Sequence, residues 1–317
     1  MKKELLMATA LVSTLGAASV AQAVTATMSG SMKIGAEFDS PENGVDTQNV
    51  VDLSNFSVSL SETTDGGTTI SSSFGVIDEG ASDIGDDDNS LKLTFTDGSA
   101  LEVLNAGNAL GTHDVAIPGA GGEQGVAGTS ANSAPSGLDF AAPSTALGVE
   151  WHSAADFLMD GLKVSASYST DNGAAKAVTS RVENSWGLGA TYVTSAGDTA
   201  LTIGGGVSGS EVAVLDTQSA AEDGGFTIGV SAVTGDLTVA VGYADGDTTT
   251  GVGSNTNKQV DADVVKAGIK YVTGDLTMNL GMVSGKAVDN VFAGTATTED
   301  SHDEVNASVT YAVAAGV

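Results

Sequence analysis

The chain has 317 residues, no cysteine, 42 glycines, 4 prolines, and 40 acidic against 11 basic residues, for a formal charge of −29. The missing cysteines exclude disulfides and thiolate metal sites, and the charge excludes a phosphate-binding surface, so no nucleic-acid partner is expected. Yet 41% of residues are hydrophobic and mean hydropathy is +0.11, unlike an acidic disordered chain.

Residues 1–23 open with Lys2 and Lys3, continue apolar from Leu5 to Val20, and end on Ala21-Gln22-Ala23. That order of charge, grease and small residues predicts a cleaved secretory signal peptide, leaving 24–317 as one domain. No later run is long and apolar enough to predict a membrane helix.

From Val24 onward the pattern has period two. Met28, Met32, Ile34 and Phe38 share one parity, and Ser29, Ser31, Lys33 and Glu37 the other. The same alternation returns with Phe56, Val58 and Leu60, with Leu91, Leu93 and Phe95, and with Leu162, Val164 and Tyr168. Later come Trp186, Leu188 and Tyr192; Phe226, Ile228 and Val230; Val239, Val241 and Tyr243; and Met278, Leu280 and Met282. Alternate side chains of a strand face opposite ways, so each segment has one apolar and one polar face. Fourteen strands are predicted, near 25–38, 50–62, 68–78, 89–97, 99–106, 145–154, 161–170, 185–195, 199–208, 223–233, 236–244, 261–272, 275–284 and 303–312. Tight turns such as Thr234-Gly235-Asp236 and Thr273-Gly274-Asp275 supply glycine for hairpins. They alternate with long acidic connections at 39–49, 79–88, 107–144, 171–184, 209–222, 245–260 and 285–302.

Strands of this length with tight turns at one end and long loops at the other predict an all-β, up-and-down membrane barrel, lipid outside and water inside. Tyr192, Tyr271 and Tyr311 lie on the apolar parity before tight turns, and Phe38, Tyr168 and Tyr243 lie on it before long loops. They are expected to form the aromatic belts at the two membrane interfaces.

This organisation resembles the general porins of Gram-negative outer membranes, over the whole mature chain. The third long connection, 107–144, is the longest, and it begins with Leu104-Asn105-Ala106-Gly107-Asn108-Ala109-Leu110, similar to the start of the family's constriction loop. The resemblance implies a sixteen-stranded homotrimer whose third loop folds into the lumen. The chain ends Tyr311-Ala312-Val313-Ala314-Ala315-Gly316-Val317, like the start of another turn. Two further strands are therefore expected after Val317, with a complete fourteen-stranded barrel as the other reading. The family's arginine cluster has no counterpart: the single arginine, Arg181, falls in a predicted external loop.

Loop 107–144 brings Asp114, Glu123 and Asp139 to the expected constriction, with His113 as a titratable neighbour. Parity places Lys33, Lys92 and Lys163 on the pore wall with Glu37, Glu102 and Glu150, and Lys266 and Lys270 further on. Opposed charges across a narrow bore orient water and dipolar solutes, and the excess of acid predicts a weakly cation-preferring diffusion channel for ions and small hydrophilic solutes. No cofactor is expected. Asp83, Asp86, Asp87 and Asp88, or Asp245 and Asp247, offer oxygens that calcium would accept, or that divalent ions would bridge to lipopolysaccharide. His113, His152 and His302 are far apart in sequence and show no metal-ligand spacing, and Gly204-Gly205-Gly206 sits mid-strand as small-residue packing rather than a phosphate loop, so no enzyme is expected. The competing class is a secreted acidic surface-layer or adhesin-type β-domain with a structural role.

Overall fold

A computed structural model describes residues 24–39, 47–78, 90–103, 109–119, 148–170, 180–214, 221–250, 258–291 and 298–311. Fourteen strands follow in order: β1 (Thr25–Asp39), β2 (Thr47–Thr63), β3 (Thr69–Asp78), β4 (Ser90–Thr94), β5 (Ala100–Val103), β6 (Gly148–His152), β7 (Leu162–Thr170), β8 (Ser180–Ala196), β9 (Thr199–Val214), β10 (Ala221–Thr234), β11 (Leu237–Thr250), β12 (Lys258–Thr273), β13 (Leu276–Val291) and β14 (Thr298–Tyr311). A four-residue helical turn, α1 (Ala109–Thr112), stands between β5 and β6. All fourteen strands form one antiparallel sheet in sequence order, each paired with its chain neighbours. The fold is a transmembrane up-and-down β-barrel, as the alternation predicts.

The tight hairpins follow from glycine. Ala196 pairs with Thr199, Thr234 with Leu237 and Thr273 with Leu276, which leaves two-residue loops. Gly197, Gly235 and Gly274 open these loops at φ of 62°, 55° and 57°. Glycine reaches that region without steric cost, and a glycine-first two-residue loop matches the twist of the paired strands.

Burial is inverted relative to a water-soluble sandwich. Leu188, Ile228, Val241 and Leu280, all on the apolar parity, are 50–53% exposed, and Val305 reaches 74%. The opposite parity holds the buried positions, Ser165, Ser185, Ser208, Ala240, Val264 and Val283 among them. A sheet with its large apolar side chains outward needs hydrocarbon around it. Tyr168, Tyr243, Tyr271 and Tyr311 are exposed on that outer face and Tyr192 is half-buried there; Phe38 ends on β1, and its side chain lies outside the description.

The strands from β8 onward are longer than the alternation suggested. β8 begins at Ser180, so Arg181 is part of a strand, paired opposite Ala213, and not of a loop. β11 runs to Thr250 and β12 starts at Lys258, carrying Asp245, Asp247, Asp261 and Asp263 in paired strands. Apolar alternation stops above Tyr243 while main-chain pairing continues, because a ladder exposed to water does not require an apolar face.

A constriction segment seated on the inner wall

Within the long connection 107–144, residues 109–119 are described, and they lie against the inward face of the sheet. Leu110, Val115, Ile117, Pro118 and Gly119 are buried, while Asp114 is exposed on the bore side. Val115 and Ile117 cluster with the inward Ala240 of β11. Asp114 also accepts a hydrogen bond from the Val115 amide at 3.0 Å.

The wall admits this segment because it carries glycine where the segment crosses. A Cβ at Gly204 of β9 would lie 2.5 Å from the His113 carbonyl oxygen, and one at Gly229 of β10 would lie 2.7 Å from Val115 Cβ. At Gly268 of β12 it would overlap the Pro118 carbonyl, and at Gly189 of β8 the Ala109 carbonyl. Gly242 of β11 faces Ile117 Cδ1 at an ordinary 3.4 Å. From β9 to β13 the sheet advances four spacings, about 19 Å. The six residue steps from His113 to Gly119 reach at most about 21 Å. The segment therefore runs extended and nearly straight across the strands, and a side chain beneath it would lift it off the wall.

Polar contacts pin its start. The Ala109 amide donates to Ser167 Oγ at 3.0 Å, and Thr112 Oγ1 donates to Glu150 Oε1 at 2.6 Å. His113 is 5% exposed; its Nδ1 lies 2.7 Å from Thr191 Oγ1 and its Nε2 2.8 Å from Ser165 Oγ. Burial, reinforced by His152 and Lys163 nearby, holds His113 below the usual histidine range. The sequence placed His113 among the constriction carboxylates as a titratable neighbour; it instead points into the wall as an anchor.

The sheet register assembles a charged patch beside this anchor. Lys92 of β4 pairs opposite Glu102 of β5, which pairs opposite Glu150 of β6. Lys92 Nζ lies 2.6 Å from Glu102 Oε1. His152 Nε2 is 3.5 Å from Glu102 Oε1, and its Nδ1 is 2.9 Å from Ser165 Oγ and 3.7 Å from Glu150 Oε1. Ser165 thus joins the anchoring His113 to His152. Lys163 is exposed on β7, and Lys266 and Lys270 are half-buried on β12. Lys33 and Glu37 take inward register positions on β1, with side chains outside the description. Glu123 and Asp139 lie outside the described residues.

Sequence parity placed Glu102 and Glu150 inward. It missed Thr112, Ser165, Ser167 and Thr191 as anchors, and it treated Gly204 and Gly206 only as packing. The signal available was glycine, in place of serine or threonine, at inward positions of six successive strands: Gly189, Gly204, Gly229, Gly242, Gly268 and Gly281.

A single strand-built wall with apolar residues outward, and an inward loop narrowing its bore, defines an outer-membrane pore. A sequence model of the Gram-negative porins matches residues 8–317, and the chain belongs to that family. Solved structures with a similar fold include the trimer form of OmpT, an outer membrane protein of Vibrio cholerae, at 16% identity and a TM-score of 0.61 over 92% of this chain and 85% of that one. A porin aligns at 15% identity and a TM-score of 0.56, covering 90% and 99% of the two chains. An anion-selective porin from Comamonas acidovorans aligns at 11% and 0.51, covering 91% and 99%. No curated protein sequence matches the chain significantly. Family membership places the protein in the outer membrane of a Gram-negative bacterium and sets aside the surface-layer reading.

Proposed function

We propose that the protein is a passive, water-filled channel that admits ions and small hydrophilic solutes, prefers cations weakly, and works as a homotrimer. The observation that carries the reading is the segment 109–119, extended from His113 onward, laid across the inner wall with Asp114 facing the bore. It narrows the pore with main chain and one carboxylate, and the wall it lies on carries Lys266 and Lys270 on either side of Gly268 and Lys163 beside Ser165, with Lys92 next to the anchor. Charges of both signs bordering a narrow aqueous gap set up a local field, which favours hydrated ions and dipolar solutes over apolar ones.

Within the described lumen, acids and bases are nearly balanced, so the preference for cations is assigned to the mouth. The chain carries −29 overall, and Asp245, Asp247, Asp261 and Asp263 stand at the loop ends of β11 and β12. A negative entrance raises the local concentration of cations by an amount that salt screens. The fold alone does not set the sign of selectivity, since one structural neighbour is anion-selective. Passage needs no catalytic step, and none is assigned to any residue. Trimer formation is supported by the trimeric Vibrio cholerae neighbour.

The test is reconstitution of the full-length protein in planar bilayers. Stepwise ohmic currents are expected, with a reversal potential in a salt gradient displaced toward the cation equilibrium value. The displacement should shrink at high salt, and unheated protein should migrate as a trimer in a denaturing gel. A reversal potential on the anion side overturns the selectivity, and an absence of current steps overturns the channel.

A further inference from the structure

We propose that Glu102, Glu150 and His152 form a binding site for a borderline divalent transition-metal ion of the zinc type, set in the lumen wall where the constriction segment is anchored. Each residue offers one donor atom, and the three donors lie within 4.8 Å of one another. Two carboxylate oxygens and one imidazole nitrogen suit Zn2+ or its neighbours better than calcium or magnesium, which favour oxygen alone.

The state of His152 supplies the independent reason. Its Nδ1 sits 2.9 Å from Ser165 Oγ, whereas its Nε2 is buried and has no hydrogen-bond partner. A hydroxyl engaged on Nδ1 fixes the ring and leaves Nε2 to whatever lies in front of it, the arrangement that prepares a histidine for a metal. In front of it, at 3.5 Å, lies Glu102 Oε1. In the tautomer whose Nδ1–H donates to Ser165, the Nε2 lone pair faces this oxygen, and a cation held between the two would satisfy both. Glu150, 1% exposed and held by Thr112, supplies the third donor from a position that cannot swing into solvent.

Lys92 occupies the cation's place on Glu102, with Nζ 2.6 Å from Oε1. Its side chain is 41% exposed and can turn into the bore, so metal binding would displace the ammonium and release it to water. Binding is then weakened by Lys92 and couples to the constriction through Glu150 and Thr112, tightening the seat of residues 109–119.

Zn2+ binding is measured calorimetrically on the detergent-solubilised full chain. Millimolar calcium is present to fill carboxylate-only sites, and Co2+ serves as a visible probe of the coordination sphere. One site per chain is expected. His152→Gln should lower its affinity by at least about tenfold, and Lys92→Met should raise it; heat-modifiable gel mobility shows that each variant is folded. An affinity unchanged by either substitution, or no site above the calcium background, overturns the proposal. Because binding is read without current, a protein that binds zinc but does not conduct refutes only the channel reading, and one that conducts without binding zinc refutes only the metal site.

Discussion

Filling the glycine track beneath the constriction gives a graded perturbation, because the space available differs from strand to strand. At Gly242 a new methyl group would meet Ile117 Cδ1 at 3.4 Å, an ordinary contact, so Gly242→Ala should change loop stability by less than about 0.5 kcal/mol. At Gly229 the methyl group would lie 2.7 Å from Val115 Cβ, and the branched side chain must retreat by about 1 Å to restore normal separation. Overpacking of that kind costs about 1–3 kcal/mol. At Gly268 the obstruction is the Pro118 carbonyl, which cannot rotate away, so the segment must leave the wall. Val115 and Ile117, 7% and 8% exposed, would then lose burial worth about 1.5–3 kcal/mol each. Amide hydrogen exchange over residues 113–119 reads these differences directly, since each 1.4 kcal/mol speeds opening about tenfold. The expected order of acceleration is Gly268→Ala, then Gly229→Ala, then Gly242→Ala, with larger and noisier single-channel currents in the same order. Equal exchange in all three variants, or no effect at Gly268, refutes the idea that glycine clears the path for this segment.

Three further outcomes follow from the geometry. Thr112→Val removes the hydroxyl that donates to the buried Glu150 and should cost about 1–3 kcal/mol, seen as a lower denaturation midpoint of the reconstituted barrel. Leu188→Arg places a charge on the outward face, where Leu188 is 52% exposed, and should destabilise by about 2–4 kcal/mol if the residue lies near mid-bilayer; refolding into lipid under urea measures it, and a neutral effect would contradict the lipid-facing assignment. At the turn between β4 and β5, Asp97 accepts bonds from the Ser99 hydroxyl and amide, which hold its carboxyl below the usual aspartate range. The turn is therefore favoured above the unfolded pKa, and that contribution is lost as pH falls through the lower folded value. Carbon-13 titration should show Asp97 moving up toward the ordinary value in Ser99→Ala.

The fourteen strands were legible because outward apolar and inward polar residues alternate at the pleat's period, and glycine-aspartate turns separate them. Leu188 and Gly189 illustrate both halves of that pattern. The upper ends of β8 to β13 were not legible in full, since ladder pairing in water leaves no apolar signature around Asp245 or Asp289. In the constriction, parity and loop length indicated that residues near 109 enter the bore. The anchors escaped notice because Thr112 and Glu150 are 38 residues apart and meet only through the sheet register. The partnership of His152 with Glu102 had the same origin: no spacing along the chain announces two neighbours on adjacent strands.

The height of the wall has a last consequence. β11 continues for seven residues beyond Tyr243, from Ala244 to Thr250, which at the tilt of such barrels is about 17 Å. There Asp245 and Asp247 continue the outward parity of Tyr243, whose hydroxyl donates to Asp245, so the carboxylates of this collar stand on the outside of the wall. Under the proposed cation preference, sign would be read through the field of this outer collar, separately from the steric limit set by the segment across the bore.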